Sequence, residues 1–144
     1  MIAVEVQHFL ARARDFLKGL ECLEREGAYI LNDDFVQFRY SPALLGIHCA
    51  ISYSDALRTG MGCTDVSPDD HRTAANDLRK RLADRKYGNL KGTDRLGNLL
   101  SKKSNVAYYP AAMRENEVKE IVKKVERFAE WAEETGRQLE IEGW

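Results

Sequence analysis

The sequence is poor in cysteine, in proline and in long apolar runs. Its three cysteines, Cys22, Cys49 and Cys63, are odd in number and form no CxxC pair. A disulfide framework or zinc knuckle is therefore not expected, and free thiols in a reducing cytosol are. No stretch approaches the roughly 18 apolar residues of a membrane span, and Met1 to Gln7 lack the basic start and apolar run of a signal peptide. These absences predict a cytoplasmic protein that does not enter a membrane.

Common catalytic signatures are missing as well. The sequence contains no GxxxxGK[ST], GxGxxG, HExxH or GxSxG, the markers of P-loop, Rossmann, zinc-protease and esterase sites. We therefore predict no cofactor. His71 follows Asp69 and Asp70, but consecutive residues on a helix point in different directions. No metal site is predicted for this reason.

Composition and periodicity predict one all-α domain over residues 1–144. Hydrophobic residues make up 44% of the chain and charged residues 31%, as in an ordinary globule. Apolar residues at steps of three and four predict five helices and no strand. The predicted ranges are 2–26, 41–59 after a Ser-Pro start, 67–86 after another, 93–109, and a last helix along the stripe Val118 to Ala132 that Gly136 ends. We expect an up-and-down bundle of four long helices plus a short one, with the second helix most buried.

Positive charge is concentrated in one segment. Residues 79–103 hold nine basic residues against two acidic ones, although the whole chain has a net charge of −1. Basic side chains neutralise phosphates and aromatic ones stack on unpaired bases, so the segment predicts a nucleic-acid face. The alternative is an ordinary solvated helix face. The predicted contacts are Arg79, Arg81, Arg85, Lys86, Arg95, Lys102, Lys103 and Tyr109.

The second predicted helix carries a polar strip on its apolar surface. His48, Ser52 and Asp55 share one face, which Thr59 extends. Asp55 can orient His48 and raise its basicity, as in a general acid–base pair. Alternatively, the strip only satisfies its own hydrogen bonds inside the bundle.

A lysine and a tyrosine lie together near the end of the fourth predicted helix. Lys103 lies about one helical turn from the side of Tyr108. The two side chains can bind a phosphate, or they can simply end the helix, where a cation suits the dipole. Both readings remain open.

Several short motifs resemble those of small bacterial HEPN-domain proteins. They are the run Leu44–Leu57, which contains His48 and Asp55-Ala56, then Gly60, then His71 with Ala75 and Leu78, and then Leu99–Lys103 with Ala107-Tyr108. The resemblance covers roughly residues 5–135. It implies a helical bundle that forms a homodimer. It also implies metal-independent ribonuclease or toxin activity, often beside a nucleotidyltransferase partner.

The chain departs from the family at its catalytic motif, an Arg followed by four to six residues and a His. Neither Arg95 nor Arg114 has such a His, and Lys103 stands at the aligned position, with Asn105 and Tyr108 after it. Lysine holds phosphate only as a point charge, and tyrosine, with a pKa near 10, is a poor general base at neutral pH.

Three hypotheses follow. The first is a HEPN-like domain of a toxin–antitoxin or defence system that binds RNA or a nucleotide. The second is an interaction subunit for a nucleotidyltransferase or an antitoxin. The third is a metal-independent ribonuclease with a variant site at His48, Asp55, Lys103 and Tyr108.

Overall fold

The computed structural model describes residues 1–25, 37–66, 71–108 and 115–144, and within these ranges it contains helices and no strand. The all-α prediction is confirmed. The helices are α1 (Ile2–Arg25), α2 (Gln37–Gly60), α3 (His71–Asp84), α4 (Lys91–Tyr108) and α5 (Glu115–Gln138).

The four long helices alternate in direction along the chain. Contacts pair the start of one helix with the end of the next for α1 with α2, and again for α4 with α5. Contacts between α2 and α5 keep the same order along both helices, so these two are parallel. The shorter α3 is antiparallel to α4. The pairs that give these directions are Ala13–Cys49, Gly19–Leu45, Gly46–Val125, Tyr53–Glu133, Gly92–Trp131, Asn98–Lys124, Ala75–Gly97 and Arg79–Asp94.

Helix α2 occupies the centre of the bundle and packs against all four other helices. Ile47, Ala50, Tyr53 and Leu57 are fully buried on it, as its almost continuous apolar surface requires. The prediction that the second helix is the most enclosed agrees with this position.

Two predicted helix ends are corrected by the structure. Helix α2 begins at Gln37, so Pro42 lies inside its second turn and Ser41 does not start it. Helix α5 continues through Gly136 to Gln138. Gly136 is small because a Cβ there would overlap the indole of Trp144, so packing, not helix termination, explains this glycine. The predicted start at Ser67-Pro68 lies outside the described residues.

The fourth helix also starts earlier than predicted, at Lys91 instead of Thr93. The Lys91 backbone N–H donates to Asn89 Oδ1 at 3.4 Å, and the Thr93 hydroxyl donates to the Leu90 carbonyl at 2.6 Å. Side-chain oxygens near a helix start take up N–H groups that lack an intrahelical acceptor. Asn89 is the signal that the sequence pattern did not single out.

Glu133 of α5 joins three helices and the end of the chain. Arg14 of α1 donates two hydrogen bonds of 2.9 Å to it, Tyr53 of α2 donates one of 3.0 Å, and the Trp144 indole donates one of 3.1 Å. Bidentate pairing of this kind gives geometric specificity as well as energy. None of the helices in the described ranges has the length and apolar character to cross a bilayer.

We expect Gly92→Ala to destabilise the protein by about 1–3 kcal/mol, because overpacking a filled core costs about that much. A Cβ at Gly92 would overlap the buried indole of Trp131. Urea denaturation measures the free energy of unfolding. Gly88→Ala is the control, since nothing lies within 4 Å of a Cβ at that position. Equal stability of the two variants would contradict the close α4–α5 packing.

Candidate functional site

Part of the basic segment serves the fold. Arg81 Nη1 and Arg85 Nη2 donate to the Met61 carbonyl oxygen at 3.1 and 3.2 Å. These two arginines connect the end of α3 to the turn after α2. Arg79 Nη1 lies 3.2 Å from Asp94 Oδ1 and bonds the Thr93 hydroxyl at 3.3 Å. Three of the predicted nucleic-acid contacts therefore have partners inside the molecule.

A buried arginine extends this network into α2. Arg58 Nε donates to Asp77 Oδ2 at 2.9 Å, and its Nη1 lies 3.6 Å from Asp55 Oδ1. Arg81 Nε donates to the same Asp77 oxygen at 2.8 Å. Burial alone would raise the pKa of Asp77, but the two guanidinium groups hold it below its ordinary value. The network connects α3 to α2, the helix at the centre of the bundle.

Three of the four cations of α4 form a stripe along the helix. Lys91, Arg95 and Lys102, with Asn98 between them, recur at steps of three, four and seven residues and so share one helix face. This face meets α5, where Lys124 Nζ donates to Asn98 Oδ1 at 2.8 Å. The basic seam is defined here as Lys91, Arg95, Lys102, Lys124 and Arg127.

One end of the basic seam opens into a cavity of about 390 Å³. Lys91, Arg95 and Arg127 line it, together with Asn89, Trp131, Glu130 and Glu134. Within the described part of the chain, no ion pair involves any of these three cations. Their charge is therefore available to a bound anion.

At the other end of the seam the ammonium groups of Lys102 and Lys124 lie close together. Partial burial lowers the pKa of Lys102, and the neighbouring positive charge of Lys124 lowers it further, whereas Glu120 and Glu117 act in the opposite direction. Like charges held together favour binding of a counter-ion. Sequence reasoning missed Lys124 and Arg127, although their spacing of three residues with Trp131 four further on marks one face of α5.

A second positive site surrounds His48, which is half-buried between α1 and α4. Burial lowers the pKa of His48, and the charges of Lys103 and Arg12 lower it further. The Phe16 ring lies 6.1 Å from the imidazole, and the Arg12 guanidinium lies 5.3 Å from the Phe9 ring centroid. The structure thus brings Lys103 near His48 and adds Arg12, which the sequence pattern had not indicated.

Asp55 has a different partner from the one that its spacing suggested. Its ion pair is with Arg58, and burial raises its pKa to about 6, against the opposing charges of Arg58 and Arg12. Asp55 is not among the groups that shift the pKa of His48. Ser52 is buried on the same strip.

The remaining predicted site residues are Lys86, Tyr108 and Tyr109, and the first two lie at or beyond the ends of helices. Lys86 is exposed just after α3 with a φ of 57°. Tyr108 is the last residue of α4. Tyr109 lies outside the described residues.

The opposite side of α5 carries an acidic groove, defined by Leu17, Tyr53 and Ala129 together with Glu21, Glu126, Glu130 and Glu134. Its volume is about 580 Å³. Burial raises the pKa of Glu126 to about 7, and the carboxyl groups of Glu24, Glu21 and Glu130 contribute to the rise. Among the described residues, no three His, Cys, Asp or Glu side chains converge as metal ligands.

Comparison with family models, with curated proteins and with solved structures finds no match. The geometry of these sites is therefore the basis for assigning a function.

The acidic groove predicts a pH-dependent stability. The folded pKa of Glu126, about 7, exceeds its ordinary value of 4.5. The raised pKa therefore stabilises the fold below pH 4.5, and this contribution is lost as the pH rises through 7. Glu126→Gln should raise the melting temperature at pH 8 and change it little at pH 4.5 in calorimetry. The control, Glu142→Gln, removes an exposed carboxylate outside the groove. A Glu126→Gln effect of equal size at both pH values would contradict this account.

Proposed function

We propose that this protein is a HEPN-like helical domain that binds RNA or a nucleotide through the basic seam. The observation that carries the proposal is the placement of five cations from two helices along one interhelical face, three of them around a cavity. Phosphate neutralisation by lysine and arginine supplies most of the affinity in sequence-independent binding. The HEPN resemblance adds the proposals of a homodimer and of an antitoxin or nucleotidyltransferase partner.

The length of the seam suits a single strand. Lys91 and Lys102 are separated by eleven residues on α4, or about 16 Å at 1.5 Å per residue. A stacked strand rises about 3.4 Å per nucleotide, so the seam matches roughly five nucleotides. Lysine and arginine alternate along it, and arginine adds bidentate contacts to phosphate.

Reversing charge in the basic seam should weaken RNA binding. We expect Lys102→Glu with Lys124→Glu to weaken binding of a short labelled single-stranded RNA about tenfold or more at low salt, and to reduce the salt dependence of the affinity. Fluorescence anisotropy across a salt series measures both. Lys18→Glu with Arg25→Glu, both on the exposed surface of α1, is the control with the same change in net charge. Equal losses in the seam variant and in this control would show that only total charge matters.

A second candidate function is metal-independent RNA cleavage at His48. The lowered pKa of His48 keeps the imidazole neutral at physiological pH, as a general base requires. His48 would take the proton of a ribose 2′-hydroxyl while the 2′-oxygen attacks the adjacent phosphorus. The bond between phosphorus and the 5′-oxygen breaks, the 5′-oxygen takes a proton from solvent water, and a 2′,3′-cyclic phosphate remains. Arg12 and Lys103 supply positive charge for the phosphate.

Cleavage by this route should resist EDTA and require the imidazole. We expect His48→Ala to lose at least about 100-fold in rate, the usual contribution of a general base, whereas His8→Ala on the exposed face of α1 retains the wild-type rate. Gel analysis of a labelled RNA measures both. Cleavage that survives in His48→Ala would exclude this site.

A further inference from the structure

The cavity at the end of the basic seam differs from the rest of the seam in charge density. Lys91, Arg95 and Arg127 all line one space of about 390 Å³, whereas Lys102 and Lys124 lie along the open face between the two helices. An internal phosphodiester carries one negative charge, and a terminal phosphomonoester carries about 1.5 to 2 at pH 7. The three cations outnumber the two carboxylates in the lining, Glu130 and Glu134, and Glu134 is paired with Arg137. The cavity therefore suits the more highly charged group.

The cavity has no free aromatic face. Trp131 forms part of its lining but is only 6% exposed, and its indole N–H donates to the Asn89 carbonyl oxygen at 3.0 Å. The ring packs on Gly92, where a side chain would overlap it. A base needs an exposed ring to stack on, so this cavity selects its ligand by charge.

The sign of the surface charge changes within the lining of the cavity. Glu130 and Glu134 line both this cavity and the acidic groove on the other side of α5. Glu134 is bonded to Arg137 and Gln138, and the groove beyond holds further glutamates. A polyanion that follows the seam therefore meets repulsion past Arg127, and its chain has to end there.

We propose that the cavity binds the terminal phosphomonoester of an RNA strand whose backbone lies along the basic seam. This inference rests on the proposed RNA binding and deepens it: the preferred ligand is an RNA with a phosphorylated end. Lys91, Arg95 and Arg127 hold the phosphate, and Glu130 and Glu134 in the same lining oppose a strand that continues toward the acidic groove. A 5′-phosphate and a 3′-phosphate present the same charged group, so the measurement decides which end of the RNA binds in the cavity.

The test compares three forms of one short, internally labelled RNA. The first has hydroxyl groups at both ends, the second has a 5′-phosphate, and the third has a 3′-phosphate. Anisotropy titrations of the full chain give the affinity of each RNA. We expect at least one phosphorylated end to bind about tenfold more tightly than the hydroxyl RNA, because charge-assisted bonds are the strong ones. The 5′ and 3′ arms show which end occupies the cavity.

Two variants separate the cavity from the rest of the seam. Arg127→Gln should remove the preference for a phosphorylated end and weaken binding of the hydroxyl RNA only by the factor expected for the loss of one seam cation. Lys124→Gln should weaken all three RNAs by a similar factor and keep the preference. Arg127 and Lys124 lie at the surface of α5, and circular dichroism checks that both variants fold.

The outcomes distinguish the two proposals. Equal affinity of the three RNAs for the wild-type protein would overturn the end-binding inference and leave RNA binding intact. A preference that Arg127→Gln retains would also overturn it, because extra charge anywhere on the RNA would then explain the effect. Absence of binding by any RNA would overturn both proposals.

Discussion

Enclosure of α2 is the constraint on which the rest of the structure depends. A helix that is apolar around most of its surface has to be covered, and here α1, α3, α4 and α5 all pack against it. Polar groups on α2 are consequently expected to have partners or to reach solvent, and the buried Ser54 hydroxyl, which has no hydrogen-bond partner among the described residues, is an exception. Arg58 meets the first condition through Asp55 and Asp77, and His48 meets the second between α1 and α4. Arg58 thus has a structural role, whereas His48 is partly accessible from solvent.

Helix α5 separates charge of opposite sign. One side carries Lys124 and Arg127 beside the cations of α4, and the other contributes Glu126 to the groove against α1, whereas Glu130 and Glu134 line both spaces. The net charge of −1 conceals this division. Oriented fields of this kind guide a charged ligand to one face and repel it from another.

The cations of residues 79–103 do not all lie on one face, and the reason is structural. Arg81 and Arg85 are turned toward the Met61 carbonyl, because the turn after α2 leaves that oxygen in need of donors. Arg95, sixteen residues after Arg79 in the sequence, instead lines the cavity with Arg127. A charge count along the sequence treats these arginines alike, since it contains no information about which carbonyls and carboxylates will be adjacent. Arg12 near His48 was missed for the same reason.

The sequence by itself determined the helices, because the period of three to four apolar residues acts over short distances. It also determined that the second helix is central, since apolar residues occupy most of its surface. Only the tertiary structure decided which cations remain available to a ligand, why Gly136 lies within α5 instead of ending it, and where Asp55 finds its partner. These outcomes depend on side chains that are distant in sequence, Trp144 against Gly136 and Arg127 beside Arg95, and such proximity arises only when the helices pack.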